Sequence, residues 1–336
     1  MIRLILFLSL LVYGYSIHAQ QADFKHLDFN RADSIAKVYE GEGLDNLPLL
    51  VYHLTSPLQN QAEKFRAIYT WVTHNVANDY NYFLKNKRKR EKFADNPERL
   101  AEWNDEFRFK VIRKLQKEQE TICTGYAYLI SELAGLADID SRVINGYGRT
   151  VGSNVGGSGI PNHSWNAVKL DGKWYLCDAT WSSRSINAID KEFIKEYNDG
   201  YFLADPELFA LNHYPLDTTW LLTDSQFSLE SFLNGPLVYK NAFSKGIYPI
   251  APNLFENNID KGEELTITIE IFKDIDPINF SFELGRGSYR LKVDPLIFKK
   301  EDGIYDLKIE FDNKEKYDVH LKIGNEYIAT YVVMVN

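Results

Sequence analysis

Apolar residues at Ala62, Phe65, Ile68, Tyr69, Val72 and Val76 recur every three or four positions. That spacing predicts one buried helix face, with Asn60 placed to cap it; His74 lies off the stripe and reads as a surface histidine. Residues 83–118 are dense in charge and poor in β-branched side chains, as expected of an inserted helical arm. Pro97 would break it or open its second helix, and Trp103, Phe107, Phe109, Val111 and Ile112 could dock it. A further helix is predicted from Cys123 to about residue 133, with Thr121 as its cap, Ala127, Ile130, Leu133 and Ala134 as its buried stripe, and Gly135 near its end. A short strand over 142–147 is followed by a loop carrying Gly152, Gly156, Gly157 and Gly159, expected to act as a mobile lid beside His163. Next comes a hairpin, residues 163–170 and 173–180, around Asp171-Gly172, a favoured two-residue turn.

From about residue 245 the period changes to two. Leu265, Ile267, Ile269 and Ile271 alternate strictly. So do Leu307, Ile309 and Phe311, then Tyr317, Val319, Leu321 and Ile323, then Tyr327, Ala329, Tyr331, Val333 and Val335. Turn signals at Gly285-Arg286-Gly287, Asp312-Asn313 and Gly324-Asn325 separate them. Short alternating strands at this spacing predict an Ig-like β-sandwich over 245–336. No internal repeat is present.

The first 19 residues read as a signal peptide: Arg3, an apolar run from Leu4 to Ile17, and Ala19 as the cleavage position. The run is short for a membrane span, and no other stretch reaches about 18–20 apolar residues. Export to the periplasm or the medium, without a membrane span, is therefore expected. No cysteine stands near the cleavage position to carry a lipid. The chain has 336 residues, 45% hydrophobic and 25% charged, which is the balance of a folded protein with room for two domains. Its net charge of −9 argues against nucleic-acid binding, which rests on neutralising phosphates. The basic run Lys85, Lys87, Arg88, Lys89, Arg90 and Lys92 reads as a solvated helix face.

Candidate chemistry comes from the hairpin register. A two-residue loop pairs Leu170 with Lys173, so Trp165 faces Asp178 and His163 faces Thr180. Directly opposed residues share a face, as do residues two apart on one strand. His163 and Asp178 become diagonal neighbours with Cα atoms roughly 7–8 Å apart, within reach of two side chains. The same count puts Cys177 on the opposite face, as a buried small side chain, and disfavours a Cys123–Cys177 disulfide that an exported pair would otherwise imply. Cys123 at a helix N-terminus is placed for a depressed thiol pKa. Gly125 would leave room there for a substrate backbone, and the first helix N–H groups could hold an oxyanion.

These residues carry a family resemblance. Thr121-Ile122-Cys123-Thr124-Gly125-Tyr126-Ala127 resembles the cysteine motif of transglutaminase-like domains. Asn162-His163-Ser164-Trp165-Asn166-Ala167-Val168 resembles their histidine strand, and Asp171 to Trp181 their aspartate strand, in the family's order. Ile68 to Val76, and Tyr201 to Phe209 with His213-Tyr214-Pro215 and Trp220-Leu221-Leu222, are similar to segments of the kyphoscoliosis peptidase branch. The resemblance spans about residues 47–223. It implies an α+β fold: a papain- or transglutaminase-like core at 20–240, with a cysteine-led helix on an antiparallel sheet, the insertion at 83–118, and the C-terminal β-sandwich. It also implies Cys123 as nucleophile, His163 as base and then acid, and Asp178 as the residue orienting the imidazole, with no cofactor or metal and a protein or peptide as substrate. The sequence departs from the family at Ser182-Ser183, where a glycine is common, and at Asn78, where a tyrosine is expected. Gln116 and Gln119 are the nearby upstream amides that could donate to an oxyanion. The expected activity is acyl transfer through a Cys123 thioester, ending in hydrolysis. The alternatives are amine transfer that cross-links proteins, or a non-catalytic binding protein that keeps the fold.

Overall fold

The computed structural model describes residues 21–336 apart from 94, 184, 187–192 and 195. The expected signal peptide at 1–19 lies outside the described residues.

The helix Gln61–Asn75 is buried nearly all round, from Ala62 to Thr73, and not along one stripe. Helices Asn30–Val38 and Leu47–Thr55 pack against it, and so does the helix Cys123–Leu136. Arg66 is therefore buried among apolar residues. It is held there by two hydrogen bonds to Asp33, at 2.7 and 3.0 Å, and by Asp199. Asn60 stands before the helix, where its backbone N–H and amide both donate to the Glu63 carboxylate.

The predicted arm consists of the helices Tyr80–Lys92 and Pro97–Glu118. Pro97 occupies the first helical position, where its missing N–H costs nothing, and Asn96 caps that end by accepting from Arg99 N. The arm docks through Phe107 and Val111, which bury against Ile122 with Tyr82, Phe83 and Trp103 around them. Phe109, expected to help, is exposed.

The cysteine-led helix lies on a four-stranded antiparallel sheet in the order Lys173–Cys177, His163–Leu170, Ser141–Gly148, His213–Pro215. Register follows the sequence count: Leu170 pairs with Lys173 and Asn166 with Cys177. Asp171 and Gly172 both have positive φ, at 49° and 86°, as this turn requires. Pairing stops at Cys177. Asp178 then starts the short helix Ala179–Ser182, so Thr180 does not face His163 as the extrapolated register implied. Val168, Leu170 and Cys177 face the helical core, and Trp165, Ala167 and Leu176 face the other way.

The C-terminal part is two facing sheets. One runs Ile247–Ala251, Glu264–Ile271, Ile304–Glu310, Leu296–Glu301; the other runs Glu256–Ile259, Glu326–Val335, Lys316–Ile323, Phe280–Arg286, Tyr289–Val293. All neighbouring pairs are antiparallel except Glu256–Ile259 with Glu326–Val335. Ile267, Ile269 and Leu307 meet Phe282, Val319 and Tyr331 between the sheets. Leu237–Val238 adds a short strand to the second sheet. The sandwich core continues into the back of the central sheet, through Trp165, Leu176, Tyr201 and Phe209. Burial of this shared apolar surface holds the two parts together.

Candidate active site

Cys123 is the first residue of its helix, and Ile122 before it is extended. Thr121 does not cap the helix. Its hydroxyl is buried without a hydrogen-bond partner, pressed against Gly125. Gly125 itself serves packing and not substrate access. A Cβ there would fall 1.8 Å from Thr121 Oγ1 and 2.9 Å from Val111 Cγ1. The glycine thus lets the arm close onto the cysteine helix. The N–H groups of Gly125 and Tyr126 are taken by the Ile122 carbonyl, which leaves those of Cys123 and Thr124 at the helix tip.

His163 is buried at the start of its strand, with Trp181 stacked on its ring at 4.8 Å and 27°. A Cβ on Gly148 would lie 2.9 Å from His163 Cβ, so that glycine makes room for the imidazole. Nε2 of His163 is 2.8 Å from Asp178 Oδ2. The other ring nitrogen remains for Cys123, which is close enough for each group to shift the other's pKa. The structure therefore brings together all three residues singled out from the sequence. Cys177 faces the helical core, and both cysteines are free thiols. Its thiol is pushed up by burial and by the Asp178 charge.

The electrostatics favour a charge-separated pair. Burial pushes the Cys123 thiol up, but the hydrogen bond and charge of His163, the charge of Arg90 and the N–H of Ser164 outweigh it and bring the thiol down to about 7. Burial alone would lower His163. Asp178, by charge and hydrogen bond, and Cys123 raise it to about 9. Asp178 is held well below the usual carboxylate range: burial opposes ionisation, but both His163 and His213 stabilise the anion.

His213 was not anticipated at the site. Its Nε2 is 3.1 Å from the same Asp178 oxygen, its ring stacks on Phe209 at 3.8 Å, and Nδ1 is 2.6 Å from the Asn212 side-chain amide. The other carboxylate oxygen accepts from the N–H groups of Thr180 and Trp181. Burial, with the nearby His163, pushes His213 down to about 4, against the pull of Asp178, so the ring is neutral near pH 7. His163, Asp178 and His213 place possible ligand atoms within 4.8 Å of one another. Both imidazoles already meet one carboxylate oxygen at hydrogen-bond distance.

Other expectations are corrected. Gln119 donates its amide to the Glu42 carbonyl, and Gln116 is exposed on the arm, so neither donates to an oxyanion here. Ser182 and Ser183 are buried in the core, bonded to Tyr69 and Tyr126, and do not widen a cleft. The glycine loop is tied down: the Asn154 side chain bonds the backbone of Gly148 and Ile160, and Gly156 N donates to Leu233 O. Such a loop is not a free lid. Arg90 does not belong to a solvated face. Its Nε donates to Asn104 Oδ1 at 3.0 Å and its Nη1 to the Pro161 carbonyl at 3.2 Å.

Comparison with known proteins agrees with this geometry. Residues 50–179 match the transglutaminase-like superfamily model. The human kyphoscoliosis peptidase is 30% identical over 257 residues, 76% of this chain and 34% of that protein. The mouse kyphoscoliosis peptidase is 29% identical over 245 residues, 72% of this chain and 34% of that protein. Hillarin of Drosophila melanogaster is 27% identical over 238 residues, 66% of this chain and 26% of that protein. The chain thus spans about a third or less of the length of these relatives. Motif order, fold and match together show that the chain belongs to the transglutaminase-like superfamily, in the branch of kyphoscoliosis peptidase.

Proposed function

We propose that the protein is a thiol-dependent acyl-transfer enzyme that hydrolyses peptide or amide bonds in protein substrates, with Cys123, His163 and Asp178 as its catalytic residues. One observation carries this reading: a buried thiol at a helix tip, beside an imidazole whose Nε2 is 2.8 Å from a buried carboxylate.

The thiolate of Cys123 attacks the carbonyl carbon, and the N–H groups of Cys123 and Thr124 face the developing oxyanion. Collapse breaks the C–N bond, and the leaving amine takes the proton that His163 carries. His163, now neutral, removes a proton from water, whose oxygen attacks the thioester. Cys123 leaves and the acid is released. Asp178 holds the imidazole orientation and stabilises its protonated state. A lysine amine in place of water would give a cross-link through the same thioester.

The test is digestion of a peptide library read by mass spectrometry, beside Cys123→Ala, with and without an added primary amine. Cleavage that the variant lacks supports hydrolysis, whereas amine incorporation alone would reassign the protein as a cross-linker. Identical traces from both proteins would make it a binding protein that keeps the fold. We also propose that residues 1–19 direct export. Exported material whose N-terminus is Gln20 supports that reading, and an intact cytoplasmic chain refutes it.

A further inference from the structure

The arm residue Arg90 is the strongest feature beside the triad. It projects from the helix Tyr80–Lys92 into the molecule, where the Asn104 side chain and the carbonyl of Pro161, two residues before His163, fix its guanidinium. It lines a cavity of about 290 Å³ that also touches Thr124, beside the nucleophile, Gly146 and His163. Arg90 also lines a second cavity of about 310 Å³, under the glycine loop. It thus stands where the arm, the histidine strand and the loop meet.

Arg90 has five N–H donors, and the two contacts above occupy two of them. Among the described residues no carboxylate is shown bonded to it, in contrast to Arg66, which meets both Asp33 and Asp199. A cation drawn partly out of water is costly unless it is paired and hydrogen-bonded, and the charge shown to favour this one is that of Cys123. A substrate carboxylate would give the guanidinium a hydrogen-bonded partner of its own. The other charged side chains at this cavity are Asp105 and Arg108, on the helix Pro97–Glu118, and the protonated His163. Together with Arg90 they leave the cavity wall positive.

We propose that Arg90 is a specificity-determining residue that binds a carboxylate of the substrate, so that the preferred acyl donor is an acidic peptide segment with an Asp or Glu side chain next to the reacting carbonyl. A guanidinium that lines the cavity beside the nucleophile with N–H groups to spare suits a carboxylate, whose two oxygens it can bind side by side. Burial disfavours the charged guanidinium and Cys123 is the charge that favours it, so the same arginine also supports the thiolate. The 83–118 insertion then selects substrates and is not a bystander.

The inference rests on the acyl-transfer reading of Cys123, and the experiment separates the two. Alkylation of Cys123 at neutral pH is compared for iodoacetate, an anion, and iodoacetamide, its neutral counterpart. In Arg90→Gln the iodoacetate-to-iodoacetamide rate ratio should fall roughly three- to tenfold relative to the parent protein. Arg90→Lys should restore much of it, and the exposed control Lys85→Gln should leave it unchanged. In the parent protein, independent of any folding defect in the variants, N-acetyl-glutamate should slow iodoacetamide labelling more than N-acetyl-glutamine does. Equal ratios in parent and Arg90→Gln, an equal fall in Lys85→Gln, or equal protection by the two amino acids would overturn the inference and leave the triad reading intact. A Cys123 that reacts with neither reagent would instead overturn the triad reading.

Discussion

Replacing His163 by alanine should return Cys123 to an ordinary thiol. In the parent protein, burial pushes this thiol up while His163, Arg90 and the Ser164 N–H bring it from 9.0 down to about 7. The hydrogen bond and charge of His163 are the two largest lowering influences, so their loss leaves burial dominant and carries the thiol back to 9 or above. Two pKa units correspond to about 2.7 kcal/mol. At pH 7 the thiolate fraction falls from roughly one half to roughly one in a hundred, about fiftyfold. A more basic thiolate is intrinsically more nucleophilic, with a Brønsted slope of about 0.4–0.5, which returns roughly eightfold. Alkylation at pH 7 should therefore slow by about sixfold, and the inflection of the rate–pH curve should move from near 7 to 9 or above. The assay is iodoacetamide labelling across about pH 5–10, quantified by peptide mass spectrometry. Cys177, fully buried and with its thiol pushed up, serves as the slow internal reference. An inflection that stays near 7 in His163→Ala, or that already lies near 9 in the parent, would refute the reasoning.

Other perturbations probe the surroundings of the site. His213 has a folded pKa of about 4 because burial disfavours its charge, below the unfolded value of about 6.5. The unfolded chain therefore takes up that proton first, and stability should fall by on the order of 3 kcal/mol as pH drops from about 6.5 to 4; His213→Asn should flatten this limb in calorimetric melts. His163, raised to about 9, has the opposite sign. Its stabilisation is full below about pH 6.5 and is lost as pH rises through about 9, a loss that His163→Ala should abolish. Gly148→Ala pushes a Cβ to 2.9 Å from His163 Cβ, and should slow Cys123 labelling severalfold. Its melting temperature should fall less than that of Gly125→Ala, whose Cβ would meet Thr121 Oγ1 at 1.8 Å and Val111 Cγ1 of the arm at 2.9 Å and should cost at least the roughly 1–3 kcal/mol of overpacking. Arg66→Ala leaves Asp33 and Asp199 without their shared cation. Both carboxylates are about a third exposed, so the expected loss in denaturant unfolding is roughly 2–3 kcal/mol, below the usual range for a buried pair.

Local patterns determined much of this protein. Asp171-Gly172 set a turn whose two positive φ angles leave one register open, and the period-two rule then put His163 and Asp178 within reach of each other and sent Cys177 to the other face. Strict alternation marked the strands that bury one face, such as Glu264–Ile271 and Lys316–Ile323. It passed over Tyr289–Val293 and Leu296–Glu301, which lie at sheet edges with little burial on either side and so carry little period. Tertiary structure decided the rest, because it rested on contacts between segments distant in sequence. Whether Arg90 meets water or the active site depends on how the arm folds back onto Asn104 and Pro161. His213, fifty residues from His163, reaches Asp178 only through the pairing of His213–Pro215 with Ser141–Gly148. Gly125 looked like room for a substrate until Val111 filled that room. A sequence period reports burial along one element, whereas the charge environment of a thiol is summed over every element that folds around it.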